Sequence, residues 1–159
     1  METNDVKETP RTILIVEDDE DMNALMAEVL NLKGYRTLSA TSGIEALEIA
    51  GKQRPDMILL DVMIKCGDGI SVLKKLSEDE RTKSTPVIMV TVRSDLQTKL
   101  SAYIFGAKRY ITKPFGIDEL TEEVEKTFKQ NDLSKYLSEN TEDGAERTDF
   151  GVFPMTATN

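Results

Sequence analysis

The chain has 159 residues, a formal net charge of −9, one cysteine and no histidine. That length suits one domain with a full core and a tail. The acidic balance argues against direct nucleic-acid binding and against anionic membrane surfaces, both of which need clustered Lys and Arg. No apolar stretch approaches the roughly 20 residues of a spanning helix, and Met1 to Thr9 lacks the apolar centre of a signal peptide. Cys66 has no partner for an internal disulfide, which fits a reducing, cytoplasmic setting. Without histidine the commonest general base and zinc ligand is missing, so any chemistry runs on carboxylates, hydroxyls, lysine and a hard metal.

Residues 1–11 read as a flexible lead-in. Thr12 to Val16 is an apolar strand that ends in Glu17-Asp18-Asp19-Glu20-Asp21. Met22, Leu25, Met26 and Val29 then fall on one helical face, and Gly34 stops that helix. Tyr35 to Ala40 is a shorter, more polar strand, expected at the sheet edge. Ser42-Gly43-Ile44-Glu45 is a capping box that opens a second helix to about Gln53, and Pro55 ends it. Asp56 to Asp61 is a strand of continuous apolar residues closed by a carboxylate, the pattern of a strand buried on both faces.

Val62 to Gly69 reads as a loop, and Ile70, Leu73 and Leu76 mark a third helix. After Pro86, Val87 to Thr91 is again apolar with a polar end. Ser94 and Gln97 form a second capping box, opening a helix to about Phe105 that Gly106 ends. Arg109 to Thr112 is a short fifth strand before Lys113-Pro114, and Leu120, Val124 and Phe128 give the last helix. The expected division is a domain over 12–130 and an acidic polar tail or linker over 131–159, mostly disordered, with Phe150-Gly151-Val152-Phe153 as its one apolar spot.

Strand and helix alternate five times. Alternation implies a parallel sheet with helices on both faces, an α/β doubly wound (βα)5 fold joined by right-handed crossovers. Open sheets of this kind bind ligands at the carboxyl ends of their strands. Those ends carry Glu17 and Asp18, Asp61, Thr91 and Lys113, which therefore converge on one edge. Carboxylates packed together raise one another's pKa. Mg2+, a hard ion that takes oxygen ligands, removes that difficulty, and Asp61 is then free to attack phosphorus, since carboxylates form aspartyl-phosphates. Lys113 and Thr91 could each meet a phosphoryl oxygen. Taken singly these residues have plainer readings. The acidic run Asp19 to Asp21 suits a helix N-terminus, Cys66 is incidental, the methionines fill a core, and Tyr110 alone reads as a core aromatic.

The stretches Ile13-Leu14-Ile15-Val16-Glu17-Asp18-Asp19, Leu59-Leu60-Asp61-Val62-Met63 with Asp68-Gly69, Pro86 to Thr91, and Gly106-Ala107 with Tyr110-Ile111-Thr112-Lys113-Pro114-Phe115 occur in this order and spacing. Over residues 12–129 the chain resembles a two-component response-regulator receiver domain of the CheY-like, flavodoxin-like type. The resemblance implies strand order 2-1-3-4-5 and Asp61 as phosphoacceptor. It implies Mg2+ held by Glu17, Asp18, Asp61 and the backbone carbonyl of Met63, with Glu17 acting through water. It also implies Thr91 and Lys113 on the phosphoryl group, a cis peptide before Pro114, and Tyr110 as a switch aromatic beside Thr91. The implied partners are a histidine kinase or phosphotransfer protein, and a downstream protein on the face of helix four, strand five and helix five.

Three positions depart from the family pattern. Lys65 replaces a usual proline, Val92 a usual small residue, and Lys108-Arg109 an acidic pair used in one dimer interface, so a monomer or weak dimer is expected. A phosphatase of the haloacid dehalogenase type would need a second acid where Met63 stands. An interaction-only relative would have lost one of Asp18, Asp61 or Lys113. The remaining alternative is the receiver portion of a larger regulator.

Overall fold

A computed structural model of the chain describes residues 8–142. The elements run β1 (Thr12–Val16), α1 (Glu20–Leu32), β2 (Arg36–Ala40), α2 (Gly43–Gln53), β3 (Met57–Leu60), β4 (Met63–Ile64), β5 (Gly67–Asp68), α3 (Gly69–Glu78), β6 (Val87–Thr91), α4 (Leu96–Ile104), β7 (Arg109–Thr112) and α5 (Ile117–Glu142). The five long strands form one parallel sheet in the order β2-β1-β3-β6-β7. Counted along the long strands alone this is 2-1-3-4-5, with β2 at an edge as its polar sequence suggests. Among the described residues no helix is long and apolar enough to cross a membrane.

The central strands are buried on both faces. Leu14, Val16, Ile58, Leu60 and Met89 join one cluster with Ala46 and Ala50 of α2 and Val72, Leu73 and Leu76 of α3. The alternate residues Ile13, Ile15, Met57, Leu59 and Ile88 are equally buried. That two-sided burial is the reason these strands read as unbroken apolar runs. Each such side chain contributes roughly 1.5–3 kcal/mol relative to exposure, so the strands are a stiff frame for whatever stands at their ends.

Local chemistry sets most boundaries where the sequence places them. Gly34 and Gly106 take positive φ values of 93° and 99° at the ends of α1 and α4, a conformation open to glycine at little cost. The Ser42 side chain accepts from the Glu45 amide, and the Glu45 carboxylate accepts from the Thr41 amide rather than from Ser42 itself.

Four expectations change. The face of α1 that packs inward is Asn23, Met26, Val29 and Leu30, while Leu25 is exposed. The stripe is turned by about one residue because Leu30 and Asn23 share a row with Met26. The expected loop over 62–69 contains a hairpin of two two-residue strands, β4 and β5. The cap of α4 is Asp95, not Ser94, since its carboxylate accepts from both the amide and the hydroxyl of Thr98. Helix α5 continues past Gln130 to Glu142. No glycine or proline interrupts residues 117–142, and a helix once formed propagates cheaply. Along that extension Leu133, Tyr136 and Leu137 follow an i, i+3, i+4 spacing but are exposed, so they give no burial signal.

The chain divides into two compact units, residues 1–127 and 128–159. The first holds the sheet. Of the second, residues 128–142 are described, as the C-terminal part of α5. The expected tail beyond Glu142, with Phe150 to Phe153, lies outside the described residues.

Gly69 is a position where a side chain cannot be placed. A Cβ there would come within 2.1 Å of the Asp61 carbonyl oxygen and 2.7 Å of the Val62 Cα. The Gly69 amide instead donates to the Val62 carbonyl at 2.8 Å, which draws the start of α3 against the end of β3. Gly69→Ala must push that backbone apart, so a loss of about 1–3 kcal/mol is expected from overpacking. Urea unfolding monitored by circular dichroism checks it; an unchanged midpoint would show that the contact yields freely.

Candidate functional site at the carboxyl edge of the sheet

The register of the sheet delivers the polar strand ends to one place. Val16 pairs with Leu60, so Glu17 and Asp61 leave the sheet side by side. Their amides donate to the carbonyls of Ala40 and Val16, each at 3.1 Å. Thr91 pairs with Thr112, and the Lys113 amide donates to the Thr91 carbonyl at 2.8 Å. The peptide bond before Pro114 is cis.

Glu17, Asp61 and Thr91 are all buried, Thr91 completely. Lys113 Nζ donates to Asp61 Oδ2 at 2.8 Å and also pairs with the Glu17 carboxylate. The second oxygen of Asp61, Oδ1, accepts from the Met63 amide at 2.9 Å. Two buried carboxylates thus face one ammonium. Burial and the neighbouring Asp61 charge push the Glu17 carboxyl up, and the Lys113 hydrogen bond only partly opposes them. Burial alone would lower the Lys113 ammonium, but its bonds to Asp61 and Glu17 outweigh this and hold its pKa above the ordinary lysine value. The two directions have different origins: burial raises Glu17, and the two carboxylate partners raise Lys113 against its own burial.

Asp18 follows Glu17 and is half-buried. Among the described residues, no three acidic or thiol side chains stand close enough to ligate one ion. Glu17 and Asp61 meet at Lys113, and Asp18 follows Glu17 at the same strand end. Met63, whose carbonyl completed the expected metal set, exposes its side chain by 53% and is not a core filler. Val92 is likewise exposed, on the loop after Thr91.

Thr91 Oγ1 accepts from the Arg93 amide at 3.2 Å. Tyr110 donates its hydroxyl to the Arg93 carbonyl at 2.6 Å, and Lys99 Nζ lies 5.6 Å from its ring centre. Of the basic pair Lys108-Arg109, Arg109, the first residue of β7, faces Glu123 of α5, with Nε 3.5 Å from its carboxylate. That is ion-pair range without a hydrogen bond.

Asn23 was not legible as a site residue. Its Nδ2 donates to the Glu17 carbonyl at 3.2 Å, and its Oδ1 accepts from Ser39 Oγ at 2.7 Å. It ties α1, β1 and β2 together directly behind Glu17. The available signal was a polar residue on the row of Met26 and Leu30.

The response regulator receiver domain family matches residues 13–125. The chain is 40% identical over 115 residues to sporulation initiation phosphotransferase F of Bacillus subtilis, covering 72% of this chain and 90% of that protein. It is 34% identical over 130 residues to the DNA-binding dual master transcriptional regulator RpaA of Synechocystis, covering 82% of this chain and 54% of that protein. Its fold superposes on chemotaxis protein CheY4 of Vibrio cholerae with a TM-score of 0.72 at 27% identity, covering 75% of this chain and 99% of that one. The chain belongs to the response-regulator receiver family and has its CheY-like fold. It is a phosphorelay signal-transduction protein of the two-component type. Members of the family are signalling phosphoacceptors, use Mg2+ and work with histidine kinases or phosphotransfer proteins. The chain spans about half the length of some relatives and nearly all of others.

Lys113→Met leaves Glu17 and Asp61 buried without their counter-charge. Breaking a buried pair in this way costs up to about 3–5 kcal/mol. Chemical unfolding at neutral pH in the presence of a chelator checks it, and a loss below about 1 kcal/mol would mean that solvent already screens the cluster.

Proposed function

We propose that Asp61 is the phosphoacceptor. The observation that carries this is the placement of a buried carboxylate at the end of a central strand, with Lys113 Nζ on one oxygen and the Met63 amide on the other. A carboxylate oxygen of Asp61 attacks the phosphorus of a phosphohistidine donor, the P–N bond breaks, and the departing imidazole nitrogen takes up a proton. Lys113, already bonded to Asp61, follows the negative charge onto a phosphoryl oxygen. The buried Thr91 hydroxyl donates to another. Hydrolysis later returns Asp61 to a carboxylate. The chain turns over no other substrate, and so acts as a signalling acceptor rather than an enzyme.

The donor set fits Mg2+. All four candidate ligands are hard oxygens, and the charge left after Lys113 has paired with two carboxylates is negative, with Asp18 adding to it. Glu17, through water, Asp18, Asp61 and the Met63 carbonyl would hold the ion. When bound, Mg2+ neutralises oxygen charge at the transferring phosphoryl group.

The output surface is the face of α4, β7 and α5, read by a downstream protein. Leu96, Leu100, Tyr103 and Ile104 expose their side chains along α4, beside Tyr110 on β7. The negative overall charge favours protein contacts over DNA. The engagement of Arg109 with Glu123 within the chain favours a monomer or weak dimer. The domain over 12–130 is sufficient for the reaction, and the segment from 131 onward is dispensable for it.

Acetyl phosphate with Mg2+ is expected to add one phosphoryl group to the wild type and none to Asp61→Asn, by intact-mass spectrometry. Equal labelling of both would remove Asp61 from the role. Truncation after Gln130 is expected to leave labelling intact, and a truncated chain that no longer labels would assign the later residues a part in folding or catalysis. Asp18→Ala is expected to abolish Mg2+ binding in titration calorimetry; an affinity equal to wild type would move the ion elsewhere.

A further inference from the structure

Four hydrogen bonds meet at Arg93, a residue that no motif singles out. Its amide donates to Thr91 Oγ1 at 3.2 Å, and its carbonyl accepts from the Tyr110 hydroxyl at 2.6 Å. Its guanidinium donates through Nε to Asp95 Oδ2 at 3.0 Å and through a terminal nitrogen to Thr98 Oγ1 at 3.2 Å. Asp95 is the cap of α4 and accepts from the Thr98 amide and hydroxyl at 2.9 and 2.7 Å. The Asp95 carboxyl is held far below the usual carboxylate range by Thr98 and then Arg93. One residue therefore holds Thr91 at the end of β6 and Tyr110 of β7 with its main chain, and the first turn of α4 with its side chain.

We propose that Arg93 is the positioning residue that couples Thr91 and Tyr110 to α4. This rests on the reading of those two residues as the switch. A Thr91 hydroxyl drawn toward a phosphoryl oxygen withdraws its oxygen from the Arg93 amide. The residue that loses that bond carries the cap of α4 on its guanidinium, so the helix start moves with it. A 420 Å3 cleft lined by Val62, Ile70, Arg93, Asp95, Thr98 and Ser101 leaves room for that movement. Arg93 is half exposed, so its ion pair with Asp95 adds little to stability; its value lies in geometry. The planar fork reaches two acceptors at once, which a lysine ammonium, a point charge on a flexible stem, does not reproduce.

The test uses the full chain with Mg2+ and beryllofluoride as the phosphoryl mimic, read by amide NMR. In the wild type, shifts are expected around Asp61 and along Leu96 to Ile104. In Arg93→Ala and Arg93→Lys the shifts around Asp61 persist, and those along α4 fall at least two-fold. Asp95→Asn is a second variant: asparagine caps a helix as well as aspartate but cannot pair with Arg93 as an ion, so the same two-fold loss is expected with the cap kept. An α4 response as large as wild type in Arg93→Ala and Asp95→Asn overturns the coupling role while leaving the switch reading intact. A wild type whose shifts stay around Asp61 overturns both.

Discussion

The Lys113 ammonium, hydrogen-bonded to Asp61 and paired with Glu17, is the interaction on which the carboxyl edge of this sheet depends. Burying two carboxylates in contact is unfavourable unless their charge is met. Here it is met by a side chain from the far end of the domain sequence, 96 residues from Glu17 and 52 from Asp61. That requires β1, β3 and β7 to end at one level, which is the outcome of their parallel register with β6. The apolar burial of the strands is thus what makes a polar cluster affordable at their tips. The cluster in turn fixes which residue must end each strand.

The parts of this arrangement that follow from one-dimensional pattern were legible. Continuous apolar runs in β1, β3 and β6 report burial on both faces, and an abrupt carboxylate, threonine or lysine after each reports the edge. Strand–helix alternation fixes the parallel sheet, and the response-regulator resemblance supplies the strand order. What was not legible depends on competition between neighbours in space. Ser94 and Asp95 are both good caps, and only the pair of hydrogen bonds that Asp95 accepts from Thr98 decides between them. Asn23 looks like a surface residue until the Glu17 carbonyl and the Ser39 hydroxyl stand opposite it. The β4–β5 hairpin is two residues on each strand, too short for any period to register. The extension of α5 has exposed apolar residues, so neither burial nor a breaker marks its end.

The site also divides its work between stiff and adjustable parts. Asp61 and Glu17 sit on strand ends fixed by backbone hydrogen bonds and by the contact that forces glycine at 69. Thr91 is fixed by the sheet on one side, yet its hydroxyl bonds an amide in the loop that follows. Tyr110 likewise stands on β7 but spends its hydroxyl on that same loop. The segment from Val92 to Asp95 is therefore where strand geometry gives way to side-chain geometry, and it precedes α4, which exposes Leu96, Leu100, Tyr103 and Ile104.

Charge explains why such a site cannot stay indifferent to modification. A phosphoryl group on Asp61 replaces one carboxylate charge with about −1.5 to −2, while the protein still offers a single ammonium there. On the proposed reading the surplus would be met by a bound cation and by donors that turn inward, and the buried Thr91 hydroxyl stands at the end of β6. On the proposed reading, turning it inward would take its oxygen from the Arg93 amide and pass the cost of the new charge to the loop before α4. A full swing of a two-state equilibrium from 1:99 to 99:1 requires about 5.5 kcal/mol. A few charge-assisted hydrogen bonds of roughly 1.5–3 kcal/mol each are enough to supply that much. Two buried carboxylates already share one ammonium, so on the proposed reading further negative charge there would have to reorganise its surroundings.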